Sequence, residues 1–353
     1  MGTLADVFMD SFESYQNGSE MDEQWVLDDD SAQYLFSTSE IDSLRTVSAR
    51  GSTSALARGM TTPTISPADY VIMGARCKIA NLPAGNRALF VLYRDAAVRV
   101  YLQGTDGTAT VRWGGSSGTI MLEVPDFFVV DQPSFYELEV YRHAEDGFIG
   151  LYRNATLLGS FSGDTTGMGT APNKALIQNP SQSATSGNRM WLRDFYFATL
   201  LSWSSIGGNN LGPGLCHDLP PDTDSAVDFT PSAGSDNFAM VDDLPNDGDT
   251  TYNESGTAGH EDLFLPDVSG LPAGPIVAVG VYANARASEA GPLEFGGVME
   301  SGTERIAPAG EVLITSYRGK LYVPMQPLDP DDDEPWTPAR LAAVKFGYRN
   351  IAV

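Results

Sequence analysis

The chain reads as an all-β protein of two domains, and three observations carry that reading. Glycine (36) and proline (22) are plentiful and β-branched and aromatic residues are spread evenly, the composition of many short strands joined by turns. Strand-like segments recur about every 8–12 residues, the spacing of a sandwich. Helical periodicity is absent except in one short segment near the C-terminus. At 353 residues the chain is long enough for two cores.

Residues 6–15, DVFMDSFESY, alternate weakly and open the first domain. Smaller strand candidates lie around 44–49 and 55–57. Longer strands follow over 70–80, 88–95, 97–103 and 108–113, broken by turn signals such as Pro83-Ala84-Gly85 and Thr105-Asp106-Gly107. The clearest hairpin runs from Phe135 to Gly163. Tyr136, Leu138 and Val140 alternate there with Glu137, Glu139 and Tyr141, which predicts one apolar and one polar face. Glu145-Asp146-Gly147 turns the chain, and Ile149 and Leu151 return on the apolar side. Met190 to Thr199 reads as the closing strand beside the first, so the first domain spans 1–203. Residues 204–235, with Gly207-Gly208, Pro213, Pro220-Pro221 and many Asp, read as an acidic linker.

The second domain, 236–353, opens on VDDLPNDGDTTYNESGTAGHEDLFLPD (241–267). Asn246 to Asp249 is turn chemistry, because Asn, Asp and Gly tolerate left-handed backbone. Thr250 to Tyr252 reads as a short strand, and Leu263-Phe264-Leu265 as an apolar one. Strands follow over 275–287, 293–301, 311–317 and 319–324. Thr337 as N-cap, Pro338 at the first helical position and Gly347 as a stop predict one helix, with Leu341 and Val344 on its buried stripe. YRNIAV closes the chain as a strand.

With 46 acidic residues against 21 basic ones and a net charge of −25, the chain lacks the basic stripe that a nucleic acid or an anionic membrane surface demands. No apolar run approaches the ~20 residues of a bilayer span. The N-terminus, MGTLADVFMDSF, has no basic or apolar leader region, so no secretory signal is expected. Cys77 alternates with Val71, Met73 and Ala75 and reads as a buried hydrophobe, while Cys216 falls in the linker; a disulfide framework is not expected.

The run from Val241 to Phe264, then PIVAVGVYANARA and LDPDDDEPWTPARLAAVKFGYRN, resembles a module of virion structural proteins of tailed bacteriophages and prophages. In those proteins a similar module follows an N-terminal concanavalin-like or laminin-G-like jelly roll. The D-x-F-E-x-Y opening and the Phe135–Gly163 hairpin resemble that jelly roll. The resemblance implies a two-sheet concanavalin-like jelly roll followed by a smaller C-terminal β-sandwich with one short helix. It implies a non-enzymatic virion structural protein, tail-associated as in a baseplate or fibre, present in multiple copies. Its partners would be other virion proteins and a host surface glycan, and it would be made in the host cytoplasm and carried in the virion. Two rivals stand beside it: a head decoration or head-fibre protein, and a carbohydrate-binding or carbohydrate-active protein.

Candidate sites divide between the domains. Glu137 and Glu139, two apart on one strand, point the same way, and glycosidases work with paired carboxylates. E-L-E-V-Y departs from the E-x-D-x-x-E arrangement of such enzymes, so a solvated strand face is the plain reading and sugar contact the functional one. Tyr141 and Trp113, with Tyr93 and Tyr101, supply rings on which sugars stack. In the second domain Asp329, Asp331, Asp332, Asp333 and Glu334 cluster between prolines. Hard cations such as Ca²⁺ take six to eight oxygens, but no EF-hand spacing is present, so a solvated acidic loop competes with a Ca²⁺ site. No other cofactor is implied. The three histidines and the glycine-rich pieces form no zinc or phosphate motif.

Overall fold

The strands read from alternation assemble into separate sheets in two units. The computed structural model describes residues 4–12, 15, 25–27, 35–41, 44–50, 59–83, 87–180, 189–200, 210–289 and 294–351. One unit comprises Met1–Phe12 and Asn17–Cys216, the other Glu13–Gln16 and His217–Val353.

The first unit carries, in chain order, β1 (Leu4–Asp10), β2 (Val26–Leu27), β3 (Leu35–Ile41), β4 (Leu44–Arg50), β5 (Gly59–Thr61), β6 (Tyr70–Ile79), β7 (Arg87–Arg94) and β8 (Ala97–Thr105). There follow β9 (Thr108–Trp113), β10 (Ile120–Val124), β11 (Ser134–Tyr141), β12 (Gly147–Arg153), β13 (Thr156–Gly163), β14 (Lys174–Gln178) and β15 (Arg189–Leu200). One antiparallel sheet runs β13-β12-β11-β6-β15-β4-β3, with β1 also on β15; the other runs β10-β9-β8-β7-β14-β5-β2. This is the expected two-sheet jelly roll. The first strand closes on the last, with Val7 opposite Ala198 and Phe8 opposite Phe197. Met73, Leu138, Val140, Leu151 and Phe197 of one sheet and Phe90, Leu92, Leu102 and Val111 of the other are fully buried. Each such side chain stabilises the fold by about 1.5–3 kcal/mol. The strand candidate at 55–57 lies outside the described residues.

The second unit carries β16 (Pro221–Val227), β17 (Thr230–Pro231), β18 (Asn253–Glu254), β19 (Glu261–Pro266), β20 (Val279–Ala285), β21 (Glu294–Ser301), β22 (Glu304–Ile306), β23 (Glu311–Val312), β24 (Arg318–Gln326), the short helix α1 (Pro338–Leu341) and β25 (Lys345–Ile351). Its main sheet runs β16-β19-β25-β21-β22, with β23 on β21, beside the two-stranded pairs β17-β18 and β20-β24. Val281 and Val323 of the β20-β24 pair pack with Met299, Trp336 and Val344 into its core.

Four expectations are corrected here. The span 204–235 is not a separate linker segment: its described part joins the first unit as far as Cys216, and Pro221–Val227 is an edge strand against β19. Its Asp and Pro are tolerated because an edge strand leaves one side unpaired. The helix begins as expected, Thr337 Oγ1 accepting from the Arg340 N–H at 3.2 Å, but it ends at Leu341. Gly347 does not stop it. Gly347 sits inside β25 against Leu263, where a Cβ would overlap the Asp262 carbonyl oxygen, so close strand packing requires glycine there. The short strand expected at 250–252 lies instead at Asn253–Glu254, and the segment read over 311–317 pairs only through Glu311–Val312.

Candidate functional site

Strand β11 lies between β6 and β12, and its two faces have different neighbours. Tyr136, Leu138 and Val140 enter the core, as their alternation predicts. The opposite face is not solvated: Glu137 and Glu139 are 1% and 0% exposed. The expectation of a wet polar face fails because other strands and a distant segment cover it.

Register shows how. Glu137 lies between Gly74 on β6 and Tyr152 on β12, and Glu139 between Ile72 and Gly150. Tyr196 on β15 pairs with Gly74, which places its hydroxyl beside Glu137. A Cβ on Gly74 would stand 2.9 Å from the Phe135 and Tyr196 rings, and one on Gly150 would stand 2.7 Å from the Tyr152 ring. The missing side chains let aromatic rings lie across the strands.

Glu139 is saturated. The Tyr152 hydroxyl donates to Oε2 at 2.5 Å, and the Tyr70 hydroxyl donates to Oε1. Glu137 is half-saturated: the Tyr196 hydroxyl and, at 3.0 Å, the Gly212 N–H both donate to Oε2, while Oε1 is buried with no hydrogen-bond partner. Burial raises both carboxyls above the usual range, and the hydroxyl donors pull them part of the way back. Glu137 is pushed up to about 7, the Glu139 charge adding to burial. Burial and the adjacent carboxylates push the Tyr152 and Tyr196 hydroxyls up.

The cover belongs to the same unit. Gly212, with φ of 73°, turns the chain over Glu137, and the Cys216 N–H donates to Asp194 Oδ1 at 3.1 Å. Asp194 is fully buried at a bulge in β15 and takes Arg193 through Nε at 2.8 Å and Nη2 at 3.1 Å. Burial raises its carboxyl, opposed by the Arg193 and Arg76 guanidinium groups. Cys77 and Cys216 are both free thiols.

The predicted site residues do not converge. Tyr141 is half-buried on the Glu face, stacked on His143 with centroids 5.5 Å apart and planes at 8°. Trp113 is on β9 in the other sheet and only 7% exposed, packed against Gly167. It cannot share a ligand face with the glutamates. Tyr70, Tyr152 and Tyr196 escaped notice although all three lie on strands that the pattern predicts; only cross-strand register turns them toward the acids. Nothing in the sequence marks Gly212.

The acidic loop of the second unit is also closed on itself. Asp329 accepts from Ser301 Oγ at 2.6 Å and from Arg340 Nη1 at 3.1 Å. Arg340 also binds Asp332, and the Thr303 N–H donates to Asp331 Oδ1 at 2.9 Å. Asp333 stands at φ 58° in the turn. Among the described residues no group of three or more acidic, His or Cys side chains is placed to hold a metal ion. At the Ca²⁺ candidate of Asp329, Asp331, Asp332 and Asp333, an arginine and hydroxyl and backbone donors engage Asp329, Asp331 and Asp332.

No protein-family model matches the sequence, and no curated protein matches it. Among solved structures the chain is similar to a cellulose-induced protein at 13% identity and a TM-score of 0.41, covering 54% of this chain and 96% of that one. An alginate lyase of polysaccharide lyase family 7 is similar at 13% identity and a TM-score of 0.36, over 53% and 100% of the two chains. A galectin-like protein of unknown function from Bacillus subtilis is similar at 12% identity and a TM-score of 0.35, over 56% and 98%. Function rests on the chain's own residues.

Proposed function

We propose that the protein is a non-enzymatic structural component of a tailed-phage virion, associated with the tail, whose jelly roll recognises a glycan on the host surface. The observation that supports the non-enzymatic part is the occupancy of the carboxylate pair. Glycoside hydrolysis needs a protonated and an ionised carboxyl on either side of a substrate bond. Here Glu139 holds two tyrosine hydroxyls and Glu137 is capped by Gly212, so neither presents a free oxygen to solvent. The virion part rests on the resemblance of 241–264, 275–287 and the 328–350 segment to phage modules.

The test is immunogold labelling of particles from a host that carries the gene. Gold on tails supports the proposal. Gold on heads replaces it with the decoration reading, and unlabelled particles beside free protein favour a free carbohydrate-binding protein. Release of reducing ends from host polysaccharide, lost in Glu137→Gln, would overturn the non-enzymatic part.

A further inference from the structure

The second sheet of the jelly roll carries a face of a different character. Arg112 on β9 pairs with Tyr101 on β8, Tyr101 with Val91 on β7, and Val91 with Leu176 on β14. Beside this row Tyr93 pairs with Lys174, and a register shift in β8 opposite Tyr93 brings Val98 and Arg99 to the same place. Ala88, Val91 and Leu176 form a buried floor on which Tyr93, Val98 and Tyr101 pack. The result is an apolar, ring-bearing surface edged by three cations.

With 46 acidic residues for 21 basic ones, many cations of the chain sit beside an acid, while Arg153 and Arg349 meet backbone carbonyl oxygens. Arg142 binds Asp69, Arg286 binds Asp249, and Arg305 binds Glu261 and Glu300. Among the described residues, by contrast, Arg99, Arg112 and Lys174 meet no carboxylate; Arg112 Nη1 reaches only the Gly118 carbonyl oxygen, at 2.9 Å. The Nε atoms of Arg99 and Arg112 are buried with no partner. Both guanidinium groups are thus partly desolvated at Nε, with no carboxylate of the described residues to balance their charge. Among the described residues, the one acid paired in register with this face, Glu123, lies opposite Thr110 at the β10 edge and is exposed.

We propose that this face binds an acidic polysaccharide, with sugar carboxylates on Arg99, Arg112 and Lys174 and sugar rings on Tyr93 and Tyr101. The proposal deepens the glycan-recognition role of the first unit, on which it rests, by naming the ligand class. Guanidinium groups hold carboxylates through paired, charge-assisted hydrogen bonds, and tyrosine supplies a ring face with little entropy to lose. Strands lie ~4.8 Å apart, so Arg99 on β8 and Lys174 on β14, two spacings apart, span ~10 Å, enough for charges on successive sugars. The net charge of −25 repels a polyanion at long range. At 0.15 M salt that repulsion is screened beyond ~8 Å, and the local cations decide.

The experiment is affinity electrophoresis of the full-length protein in native gels carrying polygalacturonate, neutral dextran or inorganic polyphosphate. Polygalacturonate should retard the chain, dextran should not, and polyphosphate should do so more weakly because it offers no rings to stack. Arg112→Gln and Lys174→Gln, at half-buried positions, should each weaken the polygalacturonate interaction about tenfold while the melting temperature holds. No retardation by polygalacturonate, equal retardation by polyphosphate, or unchanged binding in both variants overturns the proposal. Retardation by dextran alone overturns it while leaving a glycan-binding role standing, and the virion reading is decided separately by the gold labelling.

Discussion

Glu137 in the first unit and Asp262 in the second are both strand carboxylates with almost no solvent exposure, and their surroundings treat them oppositely. Asp262 Oδ1 accepts the backbone N–H groups of Asp228 at 2.8 Å and Phe229 at 2.9 Å. Its Oδ2 accepts Asn237 Nδ2 at 2.8 Å and the Tyr348 hydroxyl at 3.2 Å. Glu137 places two donors on one oxygen and none on the other. Asp262 thereby holds three chain segments together, whereas Glu137 sits where its ionised form is costly. Burial alone does not set the behaviour of a carboxylate; the number and placement of donors do.

The comparison breaks most visibly if Asp262 is removed. Asp262→Ala orphans four donors at about 1 kcal/mol each, so the second unit should lose about 4 kcal/mol, read as the loss or large downward shift of its calorimetric transition. A loss below about 1 kcal/mol would show that these donors find water instead.

Glu137 should respond in the other direction. Its carboxyl rises from 4.5 to about 7 on folding, so between those pH values the folded chain keeps a proton that the unfolded chain has released. Stability present below pH 4.5 is therefore lost as pH rises toward 7 and is constant above it, a change of about 3 kcal/mol. Glu137→Gln removes this titration while keeping an acceptor for Tyr196 and Gly212. Denaturant midpoints measured from pH 4.5 to 8 should show the variant gaining on the wild type as pH rises. Parallel curves would place Glu137 in a wetter or better-paired setting than its geometry shows.

A smaller effect belongs to the acidic loop. Arg340→Ala leaves the buried Asp329 carboxylate with Ser301 and a backbone N–H, so the second transition should fall by a few degrees. An unchanged midpoint would demote the arginine to a surface contact. Smallest of all is the expected response to calcium. Because these carboxylates already have donors, Ca²⁺ should raise the melting temperature no more than NaCl of equal ionic strength. A clear specific rise would restore the metal site.

Alternation and turn residues were enough to place β6, β7, β8, β9, β11 and β15 within one or two residues, since period-2 patterning and Gly/Asp turns are local properties. The start of α1 was legible for the same reason: Thr337 and Pro338 act within one turn. Its end was not, because Gly347 is required by the Asp262 backbone of a strand more than eighty residues earlier in the chain.

The fate of the candidate site divides along that line. The sequence by itself determined that Glu137 and Glu139 share a face and that Tyr136, Leu138 and Val140 enter the core, because alternate residues of a strand point to opposite sides. Only the tertiary structure decided that the acidic face is dry. Its cover comes from β6, β12, β15 and the turn at Gly212, segments brought together by contacts as distant in sequence as Gly74 with Tyr196 and Glu137 with Gly212. A pattern with period two distinguishes two faces, but what lies over the second face is settled by long-range strand order.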